Sequence, residues 1–346
     1  MEGVTHFIDY KCVPGNNSWV PWSESEEIFS SGKIHYAGQA IGLILAETPD
    51  LAREAAGLVK VTYKNKRPVV VNIKEAMKDE ARVVKEFPTF FGFSPRQILV
   101  GEHQKSQDLV QVEGQLELGS QYHFYMETLT ALCRPKEDKQ IQLWASTQWM
   151  DFTQNLVASA LGISVNSIDM NVKRIGGGYG GKATPAFFVA ISTAVASWTV
   201  NRPVRFVMDL KSNMAFTGLR EPYVANYKAE VDPTTQKLNH IEVTFHADCG
   251  WTASECLSMA ETMTFAQNAY TAKSWDLTPV GILTDRPRGT AVRAPGTTQG
   301  HTIIENVMEH LAAKLNVDPV EFRIKNFMQD GDLTVAGLFI PEMHGT

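Results

Sequence analysis

Five glycines in six consecutive positions, Gly176, Gly177, Gly178, Gly180 and Gly181, are interrupted only by Tyr179 and flanked by Arg174 and Lys182. Glycine loses more backbone entropy on folding than any other residue, so such a run marks a place where main chain must approach something closely. With no Cβ atoms in the way, successive N–H groups can converge on an anion. Two phosphate-binding motifs partly fit. Gly176, Gly178 and Gly181 have GxGxxG spacing, but the acidic residue that should follow about 20 residues on is absent near Asn201 and Arg202, and Asp209 comes too late. Gly176 to Lys182 fits GxxxxGK, but the Ser or Thr that would hold magnesium is Ala183. A tight turn that binds nothing is the third reading, and the loop alone does not choose among them.

Three further segments carry candidate chemistry. Trp144-Ala145-Ser146-Thr147-Gln148 closes a strand, and the uncharged Gln148 amide there can donate to an oxo or hydroxo group; a plain cap is the alternative. Arg286 to Gly300 holds Arg286, Arg288 and Arg293 among prolines and glycines just before a helix, a setting that favours an anion or else an ordinary solvated loop. Tyr122-His123-Phe124-Tyr125-Met126-Glu127 puts a His and a Glu on an aromatic strand, for acid–base work or for a hydrogen-bonded core histidine.

The elements that position these residues fall into two blocks. Residues 1–80 predict a small α+β unit: paired strands over Ile34–Leu45 around Gly38-Gln39, a helix over Pro49–Leu58 capped by Asp50, and strands over Leu58–Tyr63 and Pro68–Ile73. Residues 81–100 form a connection carrying Phe87-Pro88-Thr89-Phe90-Phe91-Gly92-Phe93, too aromatic to be disordered. Residues 101–346 form the second block. It predicts strands at Val110–Gly119, His123–Arg134, Gln140–Ala145, Val204–Met208, Tyr223–Val231 and Leu238–Ala247, with a turn at Asp232-Pro233-Thr234-Thr235. Helices are predicted at Asp151–Leu161, stopped by Gly162, at Pro185–Thr199, at Thr302–Asn316, amphipathic, and at Val320–Asn326. A strand over Ile168–Arg174, the glycine run and the Pro185 helix give a strand–loop–helix frame for an anionic cofactor.

Composition narrows the class. The 346 residues carry a net charge of -6, against a general nucleic-acid footprint. Cys12, Cys133, Cys249 and Cys256 form no CxxC or CxxH pair, which argues against zinc or iron–sulfur within this chain. Few cysteines and 12 methionines suit a reducing cytosol. The start has neither basic residues nor an apolar run, so no signal peptide is expected. The uncharged stretch Ala183–Val200 approaches membrane-span length, but Pro185, Ser192, Thr193, Ser197 and Thr199 make it a buried core helix.

Gln148, the GGGYGGK of Gly176–Lys182 and the VRAPGTTQGHTIIENVMEHLA from Val292 together resemble the molybdenum hydroxylases, the xanthine dehydrogenases and aldehyde oxidases. FIDYKCVPG from Phe7, EEIFSSGKIHYAGQAIG from Glu26 and QYHFYMET from Gln121 resemble the same family, in the family's order along the whole chain. The resemblance implies a mixed α+β fold: a small hammerhead-type domain (1–80), a linker (81–100) and the first molybdopterin-binding lobe (101–346). It implies a molybdenum–molybdopterin cofactor whose metal is held by the pterin dithiolene, with no protein ligand. Gln148 is then the residue beside the molybdenum oxo group, with a catalytic role. Gly177, Gly178, Tyr179, Gly180 and Arg293 contact the cofactor. Tyr179 stands where the family usually has Phe.

The same resemblance sets the expected reaction and its limits. Xanthine dehydrogenases have a purine-binding Glu where this chain has Ala183, an Arg in the segment matching Ser258–Thr264, where none is present, and a Phe where this chain has Pro295. Losing such a clamp costs a polar purine several kcal/mol, so aldehydes, hydroxylated to carboxylic acids with water as oxygen source, are the expected substrates and purines the alternative. The catalytic-base glutamate falls in a second molybdenum lobe beyond Thr346, and iron–sulfur clusters and FAD precede Met1. The chain is therefore expected to be an internal fragment, inactive alone, of a cytoplasmic, homodimeric parent that uses neither nucleic acid nor membrane. Two other classes stay open: a cofactor-free, non-catalytic relative and a phosphate-loop nucleotide-binding protein.

Overall fold

The computed structural model describes residues 1–20, 25–89, 94–253 and 257–340. Phe90 to Phe93 and Cys256 lie outside the described residues. In chain order the strands are β1 (Val4–Ile8), β2 (Leu43–Ala46), β3 (Ile98–Gly101), β4 (Val110–Leu118), β5 (Thr130–Pro135), β6 (Ile141–Ala145), β7 (Ile168–Asn171), β8 (Val204–Val207), β9 (Tyr223–Val231), β10 (Leu238–Gly250) and β11 (Ser274–Leu283). The helices are α1 (Pro49–Gly57), α2 (Ile73–Ala76), α3 (Met150–Leu161), α4 (Pro185–Val200), α5 (Leu210–Phe216), α6 (Leu257–Phe265), α7 (Thr297–Leu315) and α8 (Pro319–Lys325). Two compact units are built from interleaved stretches: Met1–Val70, Tyr122–Leu219 and Asp285–Arg293 form the first, and Val71–Gln121, Arg220–Thr284 and Ala294–Thr346 the second.

In the first unit a four-stranded sheet has the order β7-β6-β5-β8. β6 and β7 run parallel, so the chain needs a crossover between them, and α3 supplies it. Gly162 ends α3 in the left-handed conformation at φ 66°, where glycine carries no Cβ penalty. α4 is buried continuously from Pro185 to Ser197. Its hydroxyls are satisfied at home: Thr193 Oγ1 donates to the Val189 carbonyl at 2.6 Å and Ser197 Oγ to the Arg202 carbonyl at 2.8 Å. An apolar helix that buries every side is a core helix, and no helix among the described residues is long and apolar enough to cross a membrane. Trp19, Val20, Ile28 and Phe29 complete this core. Gly15 lies on the end of α3, where its N–H donates to the Ala160 carbonyl at 2.8 Å and a Cβ would stand 2.2 Å from the Ser159 oxygen.

Several local expectations need correction. Of the strand pair around Gly38-Gln39 only Leu43–Ala46 forms, and its partner is β1. Gly38 has φ 97° and Gln39 Oε1 accepts from His35 N–H at 2.7 Å, so residues 35–39 turn instead of extending. Thr48, not Asp50, caps α1, while Asp50 pairs with Arg53. Leu58–Tyr63 and Pro68–Ile73 form no strands. They find no ladder partner among the described residues, and Leu58, Val59, Val61, Tyr63 and Val69 are exposed. The strand predicted from His123 begins only at Thr130, because Phe124 takes φ 49°.

In the second unit five strands have the order β3-β11-β10-β9-β4. β9 and β10 make an antiparallel pair closed by Asp232, whose Oδ1 accepts from the Thr234 and Thr235 amides. β10 and β11 are parallel. α7 lays Ile303, Ile304, Val307, Met308 and Leu311 into the core of this unit. It starts at Thr297, ahead of the predicted Thr302, with Gly300 inside its first turns. β3, β11 and α6 are elements the sequence reading did not contain. Phe87, in the 81–100 connection, packs on this core.

Candidate functional site

The glycine run lies in the first unit as a bend between β7 and α4, and hydrogen-bond accounting defines what it can do. The Gly181 amide donates to the Gly178 carbonyl at 2.9 Å and the Ala183 amide to the Gly180 carbonyl at 3.0 Å. Gln148 Oε1 accepts from the Gly180 amide at 3.0 Å and the Lys182 amide at 3.3 Å. Glu127 Oε2 accepts from the Gly176 amide at 2.8 Å. Among the described residues, the amides of Gly177, Gly178 and Tyr179 have no acceptor. Unpaired main-chain donors are rare unless water or a ligand takes them. Gly180, expected to contact the cofactor, gives its amide to Gln148.

The bend could not be built with side chains. Gly177 and Gly180 have φ 84° and 99°, and even Tyr179 sits at φ 52°. A Cβ on Gly178 would stand 2.4 Å from Gln148 Oε1, and one on Gly180 would stand 1.9 Å from the Ala291 carbonyl. That segment also pins the bend, since the Arg293 amide donates to the Tyr179 carbonyl at 2.8 Å.

Gln148 sits between β6 and α3. Its own amide donates to the Lys182 carbonyl at 2.7 Å, so main chain and side chain both dock on the bend. With Oε1 turned to the bend, the exposed end is the Nε2 group, a neutral double donor. Gln148, Gly177, Gly178, Tyr179, Gly180, Ala183 and the Arg293 backbone are thus brought together. Pro295 belongs to the second unit, where its carbonyl accepts from Thr297 at 2.7 Å.

Charge beneath the bend is internally matched. The Lys182 side chain is fully buried, its ammonium pairs with Glu127 Oε2 and lies 5.0 Å from the centre of the Tyr125 ring. Burial pulls the Lys182 pKa down, partly offset by Glu127. Burial pushes Glu127 up, but the Lys182 hydrogen bond, the Gly176 N–H and the Lys182 charge outweigh it and hold the carboxyl below its ordinary value. His123 Nε2 lies 3.0 Å from the Ala291 carbonyl, the contact of a hydrogen-bonded core histidine. Arg288 is also structural: it is buried against Glu26 at 3.3 Å with its guanidinium 4.5 Å from the Trp19 ring centre. Glu305 is committed to Tyr270, Asn268 and Arg323 in the second unit.

Comparison with known proteins places the chain in a family. Residues 96–327 match the molybdopterin cofactor-binding domain, and residues 1–67 match the a/b hammerhead domain of aldehyde oxidase and xanthine dehydrogenase. The chain belongs to the molybdenum hydroxylases, the aldehyde oxidase and xanthine dehydrogenase family. Aldehyde oxidase 2 of Rattus norvegicus is 32% identical over 97% of this chain and 24% of its own length. Xanthine dehydrogenase of Calliphora vicina is 31% identical over 96% of this chain and 24% of its own length. The chain therefore spans about a quarter of these curated relatives. Among solved structures, the aldehyde oxidoreductase of Desulfovibrio gigas has the same fold, with TM-score 0.86 and 24% identity over 98% of this chain and 38% of that one. The hammerhead and molybdopterin-binding matches account for the mixed α+β architecture.

The residues present fit the cofactor this family uses. Three adjacent unbonded amides, a neutral amide donor beside them and walls that exclude a Cβ at Gly178 and Gly180 make a cradle for an oxygen-rich anionic group.

Proposed function

We propose that this chain supplies the cofactor cradle of a larger enzyme that hydroxylates aldehydes to carboxylic acids, with Gly177, Gly178, Tyr179, Gln148 Nε2 and Arg293 as the groups that hold the molybdopterin. Bound there, the cofactor provides the two-electron oxidation, with water as the source of oxygen. The chain's own task is to orient: fixed amides cost no reorganisation during reaction. The single observation that carries the substrate reading is charge matching under the bend. Lys182 is buried and consumed by Glu127, and the next residue is Ala183, so neither end of that pair is free to clamp a polar purine. What Gln148 offers is uncharged. An aldehyde needs no more than one polar contact, whereas a purine needs several.

The test is made on the larger enzyme. Wild-type protein should prefer aldehydes to xanthine in kcat/KM by about 100-fold or more, and Ala183→Glu should narrow that ratio at least about tenfold. Preference for the purine by the wild type overturns the reading. The 346-residue chain alone, which spans about a quarter of its curated relatives, is proposed to turn over no aldehyde; turnover by the isolated polypeptide would remove that proposal.

A further inference from the structure

One carboxylate oxygen touches both ends of the glycine bend. Glu127 Oε2 accepts from the Gly176 amide at 2.8 Å, where the bend opens, and from the Lys182 ammonium, where it closes. The approach is direct: a Cβ on Gly176 would stand 2.7 Å from Glu127 Cβ, and one on Gly181 would stand 2.5 Å from Tyr125 Cε1. Tyr125 and Glu127 therefore form a floor on which the bend rests. The floor is itself held, since Asn213 Nδ2 donates to the Tyr125 hydroxyl at 2.9 Å and Asn213 Oδ1 accepts from the Leu129 amide at 2.9 Å.

We propose that Glu127, through Lys182, is a positioning residue for the cofactor: the pair clips Gly176 to Lys182 at a fixed span and so keeps the Gly177, Gly178 and Tyr179 amides from closing on their own carbonyls. A buried ammonium without its counter-charge is strongly unfavourable, whereas an apolar side chain of similar size in its place is tolerated. Stability and positioning can therefore be separated. Removing Glu127 alone strands a charge. Removing both charges together leaves a neutral, packed floor but no clip.

The inference rests on the cradle reading above. The experiment uses the larger enzyme as wild type, Glu127→Gln, Lys182→Met and the Glu127→Gln/Lys182→Met double variant, scored for molybdenum and pterin per subunit and for thermal midpoint. The double variant is expected to recover the wild-type midpoint while its molybdenum stays at least about fivefold low. A double variant that is as stable and as fully loaded as wild type overturns the clip and leaves the cradle standing. A wild-type enzyme without molybdenum overturns both. If the double variant does not fold, Glu127→Asp decides: it keeps the charge but shortens the reach, and full molybdenum loading in it overturns the proposal, whereas loading reduced at an unchanged midpoint supports it.

Discussion

Two glycine-bearing turns precede the two longest helices, and they use glycine for different ends. In the turn before α4, Gly176 and Gly178 make room for the side chains of Glu127 and Gln148 and Gly180 for the Ala291 carbonyl, while three amides in a row stay unbonded. In the turn into α7, Gly296 and Gly300 make room for another backbone. A Cβ on Gly296 would meet the Thr262 amide at 2.4 Å, and one on Gly300 would meet the Thr262 carbonyl at 2.6 Å. There three amides go to main chain: Thr297 donates to Pro295, Thr298 to Ala294 and Gly300 to Gly296. The first turn leaves three consecutive donors without an acceptor, and the second packs a helix start against main chain. Counting glycines does not separate the two, but tracing each N–H to its acceptor does.

The sharpest way to break this contrast is a matched pair of substitutions in the larger enzyme. Gly180→Ala puts a Cβ against the Ala291 carbonyl at φ 99°, and strain alone should cost about 1–3 kcal/mol. Gly300→Ala should lower stability comparably by denaturant titration. Only Gly180→Ala is expected to empty the folded fraction of molybdenum; equal loss in both would erase the distinction. A smaller effect is expected at the polar neighbour of the open turn. Gln148→Glu retains an oxygen for Gly180 and Lys182 but removes the outward NH2 donor, and kcat should fall about 100-fold with molybdenum retained. An unchanged kcat would show that the carboxamide serves the bend alone.

The smallest effect is in pH. Glu127 is held below its ordinary value of 4.5, so it binds fewer protons folded than unfolded. Its stabilisation is complete above that ordinary value and disappears as pH falls through the lowered one. Tyr125, which faces the pair, is pushed upward by burial and stays neutral there. Since Glu127 is partly exposed, screening limits the contribution to about 1 kcal/mol or less. Acid unfolding curves of wild type and Glu127→Gln should converge below that window. A constant separation at every pH would contradict the ion pair's role.

The elements legible in the sequence were those with local signals. Gly162 after an apolar period announced the end of α3, Asp232-Pro233 announced the β9–β10 turn, and the Ala-rich stretch from Pro185 announced α4. β11 was hidden by Pro279 and Gly281, which argue against a strand. Pro279 is accommodated because pairing with β3 stops at Leu277, so its missing N–H falls outside that ladder. The location of the bend was legible too, but its wiring was not. Lys182 read as a cation flanking an anion site, yet it is buried on Glu127, 55 residues earlier, a partnership no local pattern encodes. One signal was available: His123, Tyr125 and Glu127 stand together in one short aromatic segment, and all three lie beneath or beside the bend.

The interleaving of the two units has a practical corollary for anyone recombining this gene. A cut placed in the 81–100 connection would separate Trp19, Val20, Ile28 and Phe29 from Leu129, Leu143 and Phe188, which share one core. It would also strip Gly15 from the carbonyl end of α3. The downstream product would keep every residue of the GGGYGGK run and lose part of the scaffold supporting it. Chimeras between relatives should therefore exchange Met1–Val70 together with Tyr122–Leu219 and Asp285–Arg293, three stretches inherited as one piece.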